Sequence, residues 1–386
     1  MPNRQTTKGK NKIEPGIVVA LIGLAGTIIA AIFASPVLIA LIQKTPTSPI
    51  TTPANGTVLP LQATSTSALF STTQTTVAEA LQPSVTSIPG STAVSANELP
   101  LIRTIPGSGE VSMAALSPDG QIVTAADFGG TIKLWSTSED TLIKSLEAGT
   151  TVLSLAFSRD NQMLAAGLSS TTVKVWRLSD GLELPALEGL ADYVYSVAFS
   201  PDGQTVAAGA SPDVMLWRVS DGTSLHNFEG HSARITGLAF SPDGQILASG
   251  SYYSIVKLWQ VCDGAFVRDL PEGGYGIVAF SPDGQILATT GAGGSVYLWR
   301  ARDGELLHEL KGHTKVVESL GFSPDGQTLV SVSNDIEVRR WQVSDGTRLS
   351  TRKADGANIR ITGLSADGRI LLAVYADGTL RLWQVP

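Results

Sequence analysis

The stretch GHTKVVESLGFSPDGQTLVSVSNDIEVRRW, residues 312–341, decides the fold because its pattern comes round seven times. The chain has seven tryptophans: Trp135, Trp176, Trp217, Trp259, Trp299, Trp341 and Trp383, spaced 40 to 42 residues apart. A tetrapeptide keeps the same beat. SPDG begins at Ser117, Ser200, Ser241, Ser281 and Ser323, with SRDN at Ser158 and SADG at Ser365. Two independent markers hold one register through every copy. Self-similarity at a fixed period of about 40–45 residues marks an array of supersecondary units.

Each unit reads as four short strands. In the sixth copy VVESLGF runs into the Pro-Asp-Gly turn, QTLVSVS follows, Asn334-Asp335 turns the chain, and EVRRWQV leads to Ser-Asp-Gly. Gly346 there can supply the positive φ of a tight hairpin. Short strands with a turn signal every ten or so residues predict all-β structure. One four-stranded sheet cannot bury both its faces, but seven packed face to face around an axis can, and closing the ring leaves only short edges. The expected fold is an all-β, seven-bladed β-propeller over residues 99–386.

These residues resemble the WD-repeat family of β-propellers. The resemblance implies a Gly-His before the first strand, a Trp ending the third, and a hydrogen-bonded His–Ser–Asp–Trp set inside each blade. The sixth copy matches as His313, Ser331, Asp335 and Trp341. The fourth keeps His231, Ser249 and Trp259 but has Tyr253 at the Asp position, and the seventh has Asp377 and Trp383 with Ala373 for the Ser. The residue after each Trp is Ser, Arg or Gln, so the literal Trp-Asp pair is absent. The set is therefore expected to stiffen only the sixth blade. The regular, SPDGQ-rich repeats look like those of bacterial WD-repeat proteins.

The N-terminal part is different material. Residues 1–14 carry Arg4, Lys8, Lys10 and Lys12, and residues 15–43 carry no charge and are nearly all apolar. Eighteen or more such residues predict a transmembrane helix, whereas a signal-peptide core has only about 7–15. As a helix the stretch would reach roughly 43 Å against a hydrocarbon core of about 30 Å, so it must tilt, kink at Pro36 or extend into the headgroups. Cleavage after Ala34 is the rival reading. Basic residues flank the N-terminal side, while Lys44 stands alone on the other until Arg103. This bias places the N-terminus in the cytoplasm and the propeller outside it. Residues 44–98 are rich in Ser, Thr and Pro, with a sequon at Asn55, and predict a disordered linker. The chain ends just after a third strand, and residues 100–106 form a strand to spare. Counting strands, that segment should complete the seventh blade.

Little suggests chemistry. By formal charge residues 1–44 carry +4 and residues 45–98 carry −2, which leaves −9 of the total −7 to the propeller. Nucleic acid is not expected as a partner, since phosphate contacts need clustered Lys and Arg. The single cysteine, Cys262, stands where other copies have Ser in a turn, and permits neither an internal disulfide nor a cysteine-based zinc site. His226, His231, His308 and His313 lack a third recurring metal ligand. The Asp-Gly pairs lack the alternating acids of a calcium loop. GAGG at Gly291 precedes a strand, not a helix. No catalytic residue, metal or cofactor is expected.

Positions that keep the beat are architecture, and those that vary are free to carry specificity. The variable sites lie in the turn between the second and third strands and at the start of the first. Exposed Tyr and Arg are typical binding anchors. Phe128, Tyr193, Tyr195, Arg234, Tyr252, Tyr253 and Arg360 are therefore the candidate partner-binding face. The expected function is a membrane-anchored, non-enzymatic interaction platform or sensor displayed outside the cytoplasm. The alternatives are a cytoplasm-facing signalling scaffold and a small-molecule-binding or catalytic propeller using the central channel.

Overall fold

The structure, a computed structural model, describes residues 99–105, 109–139, 141–252, 255–271, 275–354, 359–365 and 368–385, with the side chains at 360–362 left out. The expected transmembrane helix and linker lie outside the described residues.

Strand β1 (Leu101–Ile105) comes first. Blade 1 is β2 (Val111–Leu116), β3 (Ile122–Asp127), β4 (Thr131–Ser136) and β5 (Leu142–Glu147). Blade 2 holds β6 (Val152–Phe157), β7 (Met163–Leu168) and β8 (Val173–Arg177). Blade 3 is β9 (Ser196–Phe199), β10 (Thr205–Gly209), β11 (Val214–Arg218) and β12 (Ser224–Phe228). Blade 4 is β13 (Ile235–Phe240), β14 (Ile246–Ser251), β15 (Val256–Gln260) and β16 (Phe266–Leu270). Blade 5 is β17 (Val278–Phe280), β18 (Ile286–Thr290), β19 (Val296–Arg300) and β20 (Leu306–Leu310). Blade 6 is β21 (Val317–Phe322), β22 (Thr328–Ser333), β23 (Glu337–Gln342) and β24 (Arg348–Lys353). Blade 7 joins β25 (Ile359–Leu364), β26 (Ile370–Tyr375) and β27 (Leu380–Gln384) to β1.

The first strands touch in sequence, β2 to β6, β9, β13, β17, β21 and β25, and β25 returns to β2, so the sheets close a seven-membered ring. Burial follows from that geometry. Inner strands such as β6 and β21 are buried throughout, whereas outer strands such as β16 and β20 bury only their last residue. The core lies between blades. One cluster joins Leu134 of blade 1, Phe157 of blade 2 and Leu382 of blade 7.

The recurring tetrapeptide has a physical reason. Ser117 Oγ donates to Asp119 Oδ1 at 2.6 Å and accepts from the Ile122 amide at 2.8 Å. The Gly120 amide donates to Ser117 O at 2.8 Å, and Gly120 has φ +70°. SRDN makes the same turn with Asn161 at φ +58°, since Asn tolerates the left-handed region better than other side chains do.

Ring closure falls where strand counting put it. β1 pairs antiparallel with β27, with Leu101 opposite Trp383 and Ile105 opposite Leu380. A second belt runs round the rim, from the outer strand of one blade to the last hairpin of the next. Arg103 donates to Ser138 O at 2.9 Å and Lys144 to Ser179 O at 3.4 Å. Arg268 donates to the carbonyls of Arg302 and Asp303, and His308 Nε2 lies 3.2 Å from Ser344 O. His308 is thus a rim contact.

Blade 2 departs from the four-strand expectation. Its outer segment forms no named strand and pairs with β8 at the isolated bridges Val173–Leu187 and Trp176–Glu183. Pro185 lies between them and has no N–H for the ladder, so a continuous strand cannot form.

Candidate functional surface

The internal blade set comes first, because it fixes the turns that display the surface. In blade 6 Trp341 Nε1 donates to Ser331 Oγ at 2.8 Å, and His313 Nε2 lies 2.8 Å from the same oxygen. His313 Nδ1 is 3.1 Å from Asp335 Oδ2, which also accepts from the Thr314 amide at 2.9 Å. The set thus ties the lead-in of the first strand to the turn after the second. Blade 4 builds the three members that its sequence keeps. His231 Nε2 lies 2.6 Å from Ser249 Oγ, and Trp259 Nε1 donates to that oxygen at 2.7 Å. Tyr253, at the Asp position, is outside the described residues, and among the described residues His231 Nδ1 is buried without a hydrogen-bond partner. Burial chiefly, with the Lys257 charge second, pushes His231 down to about 4. Burial also lowers His313, with Asp335 opposing it. In blade 5 Thr289 Oγ1 takes the serine's place under Trp299 Nε1 at 2.9 Å, and in blade 3 Trp217 Nε1 reaches Glu188 O at 3.1 Å.

His313, Asp335 and Glu337 bring ligand-type atoms within 4.8 Å of one another. Both ring nitrogens of His313 are already engaged, and Glu337 Oε2 accepts from Arg339 at 2.7 Å. The trio is built as part of the blade.

The surface itself forms where the lead-ins to the inner strands meet the turns between second and third strands. The Arg234 guanidinium lies 4.1 Å from the Tyr252 ring centroid and 5.3 Å from that of Tyr195. Tyr193 stands 6.3 Å from Tyr195, and Tyr252 packs edge-on against Tyr275 at 5.3 Å. One aromatic strip with a cation at its centre therefore spans blades 3, 4 and 5. Each cation–ring contact is worth about 0.5–2 kcal/mol, more as water is excluded. Tyr193 is 38% exposed, and the rest of the strip is half-buried. Burial raises the Tyr195 hydroxyl, Asp192 adds to the rise, and Arg234 opposes it.

The backbone holds this strip in place. Tyr195 N donates to Gly209 O, and Tyr252 N to Arg234 O, each at 2.9 Å. Thr236 Oγ1 donates to Tyr275 O at 2.6 Å. The carbonyl of Gly276 lies so near β13 and β14 that a Cβ on Gly237 or Gly250 would stand 2.0 or 1.9 Å from it. Two glycines in blade 4 thus let the blade 5 lead-in come close enough to seat Tyr275 against Tyr252.

The structure brings together Tyr193, Tyr195, Arg234 and Tyr252 of the candidate face. Phe128 belongs to another junction, where its carbonyl accepts from Thr151 Oγ1 at 2.9 Å between blades 1 and 2. Arg360 lies in β25, with its side chain outside the described residues, as is Tyr253. Tyr275 was missed, although it keeps the beat: Tyr193, Arg234 and Tyr275 follow one another at 41-residue intervals.

A cleft of about 810 Å³ opens at the other end of the blades, between the SPDG turns of blades 4 and 5, beside Arg300 and Arg302. Arg300 there is already paired with Asp303 at 3.3 Å and with Glu305. Cys262 is exposed in its hairpin turn.

The family model described as WD domain, G-beta repeat matches residues 99–136, 140–177, 184–218, 222–260, 276–300, 304–342 and 346–384. No curated protein matches the chain.

Proposed function

The chain belongs to the WD-repeat family, whose propellers are commonly protein-interaction scaffolds and typically not catalysts, and from that premise we propose a membrane-anchored platform that recruits a protein partner. The propeller is held outside the cytoplasm by the apolar stretch 15–43 and the Ser/Thr/Pro-rich stretch 44–98. The observation that carries the recruiting role is the strip Tyr193–Tyr195–Arg234–Tyr252–Tyr275. Interfaces draw most of their affinity from Tyr, Trp and Arg. Here four tyrosines and one arginine are gathered from three blades and packed on one another, which reduces the side-chain freedom left to lose on binding. The basic N-terminal flank supports the orientation. Against channel chemistry, Glu318 is the one acid in the seven inner strands, where catalysis would call for clustered carboxylates or metal ligands.

Two measurements on the full chain test this. Protease added to intact cells should release a resistant fragment of about residues 95–386. Protection that is lost only on lysis overturns the orientation and favours a cytoplasmic scaffold. Surface cross-linking should then trap a partner with the wild-type chain, and much less of it with Tyr193→Ala/Tyr252→Ala. Equal trapping by the double variant overturns the assignment of this surface.

A further inference from the structure

We infer that the strip reads a single carboxylate on its partner, an acidic side chain, received by Arg234 while the neighbouring partner residues lie across the tyrosine rings. This rests on the partner-binding reading above and names what that surface selects.

The argument starts from the other arginines. Arg177 pairs with Asp180 at 3.2 Å, Arg218 with Asp221 at 2.9 Å, and Arg339 with Glu337 at 2.7 Å. Arg300 pairs with Asp303, and Arg268 spends its donors on carbonyls of the next blade. Arg234 is different. Among the described residues no carboxylate lies within ion-pair distance of it. Its neighbours are the faces of Tyr195 and Tyr252. Rings attract the cation but accept few of its five fixed N–H donors. The Tyr195 hydroxyl takes one hydrogen bond from Arg234, which leaves the charge of this half-buried guanidinium unmatched by any described carboxylate. A carboxylate matches the planar fork of donors and supplies that countercharge.

The number of charges selects the ligand class. Arg234 is one cation, and an acid, Asp192, already acts on the strip, where its charge raises the Tyr195 hydroxyl. The propeller as a whole carries about −9 by formal count. Phosphorylated segments are read by clusters of arginines, which supply the charge a dianion needs. A lone arginine next to an acid, on an acidic body, suits a monoanion. The rings also favour a carboxylate set among apolar or proline residues over a run of acids.

The test uses the full chain in detergent micelles and three arrays of decapeptides. The arrays are random except at one fixed position, which holds Glu, Gln or phosphoserine. The expected result is about ten-fold greater retention on the Glu series than on the Gln series, since fully desolvated charge pairs set specificity. Arg234→Gln should bring the two series level. Arg234→Lys should keep part of the preference, and its unchanged melting temperature would show that the fold is intact. Equal retention on Glu and Gln, or strongest retention on phosphoserine, overturns the inference. If Glu and Gln are equal yet both are lost in Tyr195→Ala/Tyr252→Ala, the carboxylate inference fails while the surface stands. Retention of no series overturns both.

Discussion

Arg234 and Tyr195 lie in adjacent blades, and the guanidinium of one sits 5.3 Å from the ring centroid of the other. This contact stitches blade 3 to blade 4 and sets the acidity of a phenol. Burial and the Asp192 charge raise the Tyr195 hydroxyl, and Arg234 opposes them. Arg234→Ala should therefore raise it further, and Asp192→Asn should lower it. Ultraviolet difference titration of tyrosinate formation checks both directions. A fall on removing Arg234 would mean that the guanidinium does not face the ring. Because the folded value lies above the ordinary one, Tyr195 favours the folded state at neutral pH only in its protonated form, and that preference fades as pH climbs past about 10.

The shared serine is the joint of the blade set. Ser331 Oγ faces both Trp341 and His313, and Ser249 Oγ faces both Trp259 and His231, all four groups being buried. Replacing either serine by alanine strands an indole N–H and an imidazole nitrogen at once. Each variant should lose about 2–4 kcal/mol in denaturant unfolding, the sum of two unmet buried groups. Ser170→Ala, in an exposed turn of blade 2, should stay within about 0.5 kcal/mol. If Ser249→Ala were as mild, the three-membered set of blade 4 would be ornamental.

How much of this was legible follows from what repeats. The Trp and SPDG positions are pinned by packing and by a turn that only certain residues can make, so every copy states them again and the blade count is readable. Closure of blade 7 by β1 was readable for the same reason, since one strand was missing at one end and one was spare at the other. The variable positions were readable as a class. Residues Ser112, Leu153, Thr236 and Glu318 sit at irregularities that open each inner ladder, where the side chain is released from the pairing register. What could not be read is which of them meet. Tyr195 and Arg234 are neighbours because blades 3 and 4 are neighbours, but Phe128 faces a different junction. Tyr275 escaped notice because its glycine-rich lead-in, PEGGYG, looks unlike the others, although Gly237 and Gly250 of blade 4 let that lead-in come close. Blade 2 lost its fourth strand to one proline, which a repeat-based reading averages away.

Ring closure gives a sharp contrast of burial within one strand. Ile105 is 1% exposed and Ile102 44%, although both lie in β1. Ile105 packs among blade 1 and blade 7 residues, including Leu380 and Leu382. Ile105→Ala should cost about 2–4 kcal/mol, the usual range for emptying a buried aliphatic site, and Ile102→Ala less than about 0.5 kcal/mol. Urea unfolding followed by tryptophan emission reads both. Equal small effects would show that β1 is not needed to hold the ring closed.

Acid should weaken blade 4 before blade 6. His231 sits at about 4 in the folded state, against an ordinary value near 6.5, because it is buried and close to Lys257. The unfolded chain therefore binds a proton that the folded chain refuses. The neutral ring's contribution is complete above about pH 6.5, is lost as pH falls toward 4, and changes no further below that. The full loss is about 3 kcal/mol at most by the usual conversion of a pKa difference. His313 is lowered in the same direction, but Asp335 faces its Nδ1 and would pair with the charged ring, so its share is smaller. Melting temperature should therefore drop between pH 6.5 and 4.5 in the wild type, and the drop should flatten in His231→Gln, whose amide does not titrate there. The mirror variant His313→Gln should leave most of the slope in place. If the slope disappears with His313→Gln and survives His231→Gln, the buried proton switch is in blade 6 and the missing aspartate of blade 4 is without consequence.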